Sequence, residues 1–140
     1  ILVLGVLHSR QGSLLSSGQI AEAAQLTQAT AAKVIKALAA ADLVRTQRGI
    51  RGGCQLSRPV SRISIAKVVE AIEGPIALTA CVDGAEEPCS VQQGCFMGGN
   101  WNRVNTALRE ALLSVSLADL FDPATLFPDP ESAQQIQTST

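Results

Sequence analysis

Apolar residues recur at helical intervals through the first part of the chain. The apolar run over residues 1–7 predicts a buried helix over about residues 1–9 that ends near Gly12. Ser16 and Ser17 offer N-caps for a second helix over residues 18–25, and Leu26 and Thr27 make a tight break after it. Thr27 can cap a third helix over residues 28–41. With about 100° of rotation per residue, Ala31, Val34, Ile35, Leu38 and Ala41 fall on one arc. Gln28, Ala29, Thr30, Ala32, Lys33 and Lys36 fall on the other, giving a polar, lysine-bearing face made partly of small residues. Two short helices joined by a tight turn, the second polar and basic on its outer side, predict a helix-turn-helix whose second helix enters the major groove of double-stranded DNA.

The period then shortens. Residues 43–47 and 54–58 are short strand-like runs on either side of Arg48, Gly49, Ile50, Arg51, Gly52 and Gly53, where the glycines permit a hairpin turn. This is a two-stranded wing, with Arg48 and Arg51 at its tip in reach of phosphates or a minor groove. Ser64 can cap a helix over residues 65–73 with Val68, Val69 and Ile72 inward, stopped by Gly74 and Pro75. After residues 76–99, helical spacing resumes at residue 100: Trp101, Val104, Leu108, Ala111, Leu112 and Val115 form a stripe that needs a partner surface, either its own domain or its copy in a homodimer. Residues 116–121 follow, and the tail over 122–140, with three prolines and a polar end, is expected to be mobile.

The pattern defines a mainly α chain with a small β-wing. It divides into a winged helix-turn-helix DNA-binding domain over residues 1–75, a cysteine loop over 76–99, a long dimerisation helix over 100–121 and a tail over 122–140. Composition agrees, because a chain that is 46% hydrophobic but only 3% aromatic must build its core from aliphatic residues and alanine, which favours helices. The net charge of -1 hides a strong division. Residues 33–67 carry eight basic side chains against Asp42 alone, whereas residues 68–140 carry Arg103 and Arg109 against ten acids. One local basic surface suffices to collect phosphates. The opening apolar run is too short to span a bilayer and lacks the flanks of a signal peptide, and the absence of an initiator Met predicts that residues precede Ile1. The expected location is the cytoplasm, with no membrane partner.

In a reducing compartment, four cysteines point to metal or thiol chemistry. Cys81, Cys89 and Cys95 lie in one glycine-rich loop at Cys-x7-Cys-x5-Cys spacing. That spacing departs from the paired Cys-x2-Cys knuckles of structural zinc and suits an iron-sulfur cluster, with a metal-free thiol switch as the alternative. A fourth protein ligand has no distinctive spacing; Asp83, Glu86, Glu87 and His8 are the candidates. Cys54 reads as a small apolar residue on a half-buried strand, and His8 as a packed helix residue. The chain has no Cys-x-x-Cys redox pair, no Cys-His pairing and no nucleotide-binding glycine pattern, so an enzyme is not expected and neither is a small-molecule substrate.

These residues carry a resemblance. Ile20-Ala21, residues 34–38 with Leu43-Val44, the wing over 48–56, residues 65–74, the three-cysteine loop followed by Asn100-Trp101, and Leu117-Ala118-Asp119-Leu120 resemble the Rrf family of bacterial transcription regulators. Residues 73–81 and Gly99-Asn100-Trp101 look closest to the branch that regulates iron-sulfur assembly of the SUF type. The resemblance implies a homodimeric winged-helix regulator holding a 2Fe-2S cluster on Cys81, Cys89 and Cys95, with Thr27, Gln28, Thr30, Lys33, Lys36, Arg48 and Arg51 toward DNA. The chain departs from its relatives in four places. Gly98 stands where IscR-like members carry a fourth-ligand His, and the acidic ligand of NsrR-like members belongs to a region preceding Ile1. The gap between Cys81 and Cys89 is longer than in those branches, and Cys54 follows the paired glycines where a Tyr is usual.

Overall fold

The computed structural model describes residues 1–85, 89, 90, 95 and 100–122. Glu86 and Glu87, the position of Gly98 and the tail from residue 123 onward lie outside the described residues. Six helices and one hairpin are described: α1 (Leu2–Ser9), α2 (Ser17–Ala23), α3 (Gln28–Ala40), β1 (Val44–Gln47), β2 (Gly53–Leu56), α4 (Ile65–Glu73), α5 (Asn100–Ser114) and α6 (Leu117–Phe121). A 3-10 turn at Val60–Arg62, not anticipated from the sequence, carries the chain from the wing into α4.

The helix starts are set by hydroxyl caps. Ser16 accepts a hydrogen bond from the Gln19 amide while the Gln19 side chain returns one to the Ser16 amide, a capping box. Thr27 caps α3 and Ser64 caps α4 by a one-sided bond, each side chain accepting from the amide three residues on. The turn between α2 and α3 is fixed by backbone geometry. Gln25 takes a left-handed φ of 54°, and the Gln25 and Leu26 amides donate to the carbonyls of Glu22 and Ala21. This is a Schellman closure, and it ends α2 before the expected residue 25. Asp42, with φ 55°, ends α3 alike: the Asp42 and Leu43 amides donate to Ala39 and Leu38. Ala41 is therefore an exposed cap rather than an inward-facing residue. Because a side chain in this conformation is strained and glycine is not, Gln25→Gly should raise stability by about 0.5–1 kcal/mol in urea unfolding. A loss of stability would contradict the left-handed closure.

The core joins α1, α2, α3, the hairpin and α6. Leu4 and Ile20 are fully buried, with Leu38, Ile63 and Leu117 beside them. The hairpin is antiparallel, pairing Val44 with Leu56 and Gln47 with Gly53. Its inner strand is also bonded to the loop before α2, where Leu15 and Cys54 exchange both backbone hydrogen bonds at 3.1 and 2.8 Å. Gly53 is required by that approach, since a Cβ there would lie 2.7 Å from the Leu15 carbonyl oxygen.

Two expected apolar faces are placed differently. Ile72 of α4 is 43% exposed rather than inward. On α5 the inward arc is Trp101, Asn105, Leu108 and Leu112, whereas Val104, Ala111 and Val115 of the expected stripe are exposed. The polar Asn105 takes the most buried position on the helix. Beyond α5 the chain returns to the core. Ile65 donates to the Val115 carbonyl at 2.9 Å and Leu117 to the Ile63 carbonyl at 2.7 Å, so the α5–α6 junction is bonded to the start of α4.

Candidate nucleic-acid interface and cysteine segment

The outward face of α3 is as the periodicity predicts. Gln28, Ala29, Thr30, Ala32, Lys33 and Lys36 are all exposed, while Ala31, Ile35 and Leu38 are buried against the core. Thr27 and Thr30 are exposed but engaged with each other: the Thr27 hydroxyl oxygen accepts from the Thr30 amide at 3.2 Å, and the two hydroxyls lie 2.8 Å apart. They fix the N-terminus of α3, and the hydroxyls retain capacity for further bonds, one at Thr27 and two at Thr30.

Arg48 and Arg51 stand at the exposed wing tip with Ile50 between them. The tip is tightly wound. Gly49 has φ 112°, and a Cβ at Gly52 would collide with the Gln47 carbonyl and lie 2.8 Å from that of Gly49. Lys33, Lys36, Arg48 and Arg51 make no ion pair among the described residues. The same holds for Arg45, an exposed residue of β1 that adds a charge to the wing and was not singled out from the sequence. Three further basic residues are occupied. Arg58 pairs with Asp42, and Glu70 holds both Lys67 at 3.7 Å and Arg109 at 3.0 Å, the latter tying α4 to α5. Among the described residues, α3 and the wing thus carry five basic side chains without an ion pair, and Arg10, Arg62 and Arg103 elsewhere also make none.

Cys54 is buried, and its thiol donates to the Leu15 carbonyl at 3.4 Å. Burial pushes this thiol up from its ordinary pKa, as suits a residue of the core. His8 stacks on Phe121 with ring centroids 5.6 Å apart, a packed residue whose Nδ1 is buried without a partner.

Cys81, Cys89 and Cys95 are half-buried and free of disulfides. The Cys89 amide donates to the Ala80 carbonyl at 3.1 Å, which brings Cys89 beside Cys81. The Cys81 thiol is held above its ordinary pKa, first by its interaction with the Cys89 thiol, then by burial and by the neighbouring charges of Cys89 and Cys95, with Thr79 opposing. A thiol binds a metal as its thiolate, so cation binding at these cysteines would release protons. Among the described residues no group of three or more His, Cys, Asp or Glu converges as a site for a single metal ion. Thiolates are the ligand type of iron-sulfur clusters, which usually take four protein ligands, and three cysteines supply the thiol part of such a set. Asp83, one of the fourth-ligand candidates, is hydrogen-bonded to Asn102 instead, and His8 lies on α1 against Phe121.

A helix-turn-helix with a short antiparallel wing, with unpaired basic side chains on the second helix and the wing among the described residues, defines a winged-helix DNA-binding transcription regulator. Comparison with known proteins makes this specific. The model of the Rrf2 family, described as an iron-dependent transcriptional regulator, matches residues 1–123, and the chain belongs to that family. It is 32% identical over 120 residues to the HTH-type transcriptional regulator NsrR of Oceanobacillus iheyensis, covering 86% of this chain and 81% of the relative. Among solved structures, Staphylococcus aureus CymR is similar with a TM-score of 0.54 at 28% identity, over 85% of this chain and 91% of that one. IscR of T. potens has the same fold, with a TM-score of 0.58 at 24% identity over 99% of this chain and 85% of that one. Like these regulators, the protein is not an enzyme. No helix among the described residues is long and apolar enough to cross a membrane.

Proposed function

We propose that the protein is a cytoplasmic, homodimeric regulator of iron-sulfur assembly genes of the SUF type that senses through a 2Fe-2S cluster on Cys81, Cys89 and Cys95. The observation that carries this reading is the gathering of the three thiols on a segment hydrogen-bonded to α5, which is itself bonded to α4 of the winged helix. When bound, the cluster would supply a charge and ligation state that follow iron supply and oxidation. The protein's own part is mechanical. Residues 76–99 hold the thiols, α5 carries their arrangement to the winged helix over 1–75, and α3 presents Gln28, Thr30, Lys33 and Lys36 to the major groove. Thr27 sets the angle of α3, and Arg48 and Arg51 reach the backbone or minor groove.

Dimerisation is supported by apolar side chains left exposed along α5 and at its end, Val104 at 49%, Leu113 at 39% and Val115 at 37%. Exposed apolar residues of this kind favour cover by a second copy, and a two-fold dimer matches two half-sites about one helical turn apart or a multiple of it.

Anaerobic purification with iron and sulfide analysis, followed by titration of a DNA site selected from a random library, tests the proposal. Cluster-loaded and apo protein are expected to differ at least about fivefold in affinity, and replacing Cys81, Cys89 and Cys95 by Ser should abolish the visible absorption. Equal affinities would sink the sensing function. A second reading, a metal-free thiol switch, is favoured by the nearness of Cys81 to Cys89, whose amide is bonded to residue 80, and by the likeness to CymR, of which an oxidized form has been solved. Protein that stays colourless after reconstitution, yet loses DNA affinity on oxidation, would establish that reading instead.

A further inference from the structure

Asn105 is 8% exposed, and both ends of its amide are engaged. Its Oδ1 accepts from the Leu78 amide at 3.0 Å and its Nδ2 donates to the Ile76 carbonyl at 2.8 Å. One turn earlier on α5, Asn102 makes a reciprocal pair with Asp83: Oδ1 accepts from the Asp83 amide and Nδ2 donates to Oδ2 of Asp83, each at 2.9 Å. Residues 76–78 and 83 bracket Cys81. Each site needs an acceptor and a donor on one short planar group, which asparagine supplies and an apolar residue or a carboxylate does not. Asparagine is also a poor residue for a helix interior. Its presence at two positions of α5 one turn apart, Asn102 half-buried and Asn105 buried, calls for a compensating role, and the bonds to the cysteine segment provide one.

We infer that Asn102 and Asn105 are positioning residues: they fix the segment carrying Cys81 in one register on α5, so that displacement at the thiols is delivered to that helix. Neither is proposed to touch a metal. Asn105 holds the entry to the segment through backbone groups only, so the register is independent of side chains at 76 and 78. Asn102 holds the exit through Asp83, which couples the residue two positions beyond Cys81 to the helix surface. From α5 the attachment continues to the DNA-binding domain through Arg109 to Glu70 and through the backbone bonds that join residues 115 and 117 to residues 65 and 63. The regulatory meaning of this clamp rests on the sensing function proposed above; the clamp itself does not.

The test is a swap. Asn102→Asp opposes two carboxylates and should lower the hydrogen-exchange protection of the residue-83 amide in apo protein roughly tenfold. Combining it with Asp83→Asn restores a donor opposite an acceptor and should return protection to within about twofold of the original, a rescue that a purely bulk effect of either substitution would not give. Asn105→Ala should release the Leu78 amide similarly; if that protein fails to fold, the exposed 83–102 pair still decides. In cluster-loaded and apo forms titrated with the selected DNA site, Asn102→Asp should erase most of the affinity difference and the swap should restore it. Unchanged protection in Asn102→Asp, or no rescue by the swap, overturns the assignment. Normal protection changes together with equal affinities of the loaded and apo original protein would leave the clamp standing and remove the sensing function.

Discussion

Replacing Lys33 and Lys36 together by alanine will leave the protein folded and lower its affinity for DNA on the order of a hundredfold or more. Both side chains project from the exposed face of α3 and make no ion pair among the described residues, so their removal disturbs no internal contact. Exposed positions of this kind change stability by no more than about 0.5 kcal/mol. Alanine is also the best helix former, so α3 will persist. The loss falls on binding, where each lysine that neutralises a phosphate releases a counterion. The plot of log affinity against log salt should therefore become shallower by about two. Titration at several salt concentrations measures this, with circular dichroism confirming the fold. An unchanged slope would show that α3 does not meet the backbone in the way the winged-helix geometry requires.

The second large effect concerns stability. Leu117→Ala will cost about 3 kcal/mol, or roughly 10 °C in thermal midpoint at fixed protein concentration. Leu117 is fully buried in the same core as Leu4 and Ile63, and its amide donates to Ile63 at 2.7 Å. Deleting its side chain removes apolar contacts and leaves a cavity where α6 meets the first helix and the 3-10 turn. Leu120, three residues on and 39% exposed, provides the comparison: its replacement by alanine should cost less than about 1 kcal/mol. If both substitutions cost alike, α6 is not an integral part of the core. Under the proposed sensing function the consequence extends to signalling, because α6 and its preceding backbone bonds anchor the C-terminal end of α5 to the start of α4.

The winged helix was legible in the sequence because its determinants are local. Thr27, Ser16 and Ser64 are hydroxyls at helix starts, and each caps through its own next turn. The two faces of α3 follow from the period of the helix, since burial there depends on a single direction toward the core. Glycines at the wing tip were readable for the same reason. What escaped the sequence was set by contact between distant segments. Asn105 interrupts an apolar stripe, a signal visible in the sequence, but its partners at residues 76 and 78 lie across the molecule. Ile72 and Val104 looked inward because apolar residues usually are, yet the pairing of α4 with α5 leaves both outside.

By itself, the sequence determined the helix-turn-helix, the wing, the concentration of positive charge on residues 33–67 and the set of three cysteines outside it. These follow from residue type and periodicity, which need no knowledge of the rest of the chain. Only the tertiary structure decided which face of α5 is buried, that α6 belongs to the core, and that the thiol segment is pinned to α5 by two asparagines. Those outcomes depend on which backbone groups are left without partners when the elements pack. A buried N–H or C=O must be satisfied wherever the fold happens to leave it, so a polar side chain outside the expected stripe took the most buried position on α5.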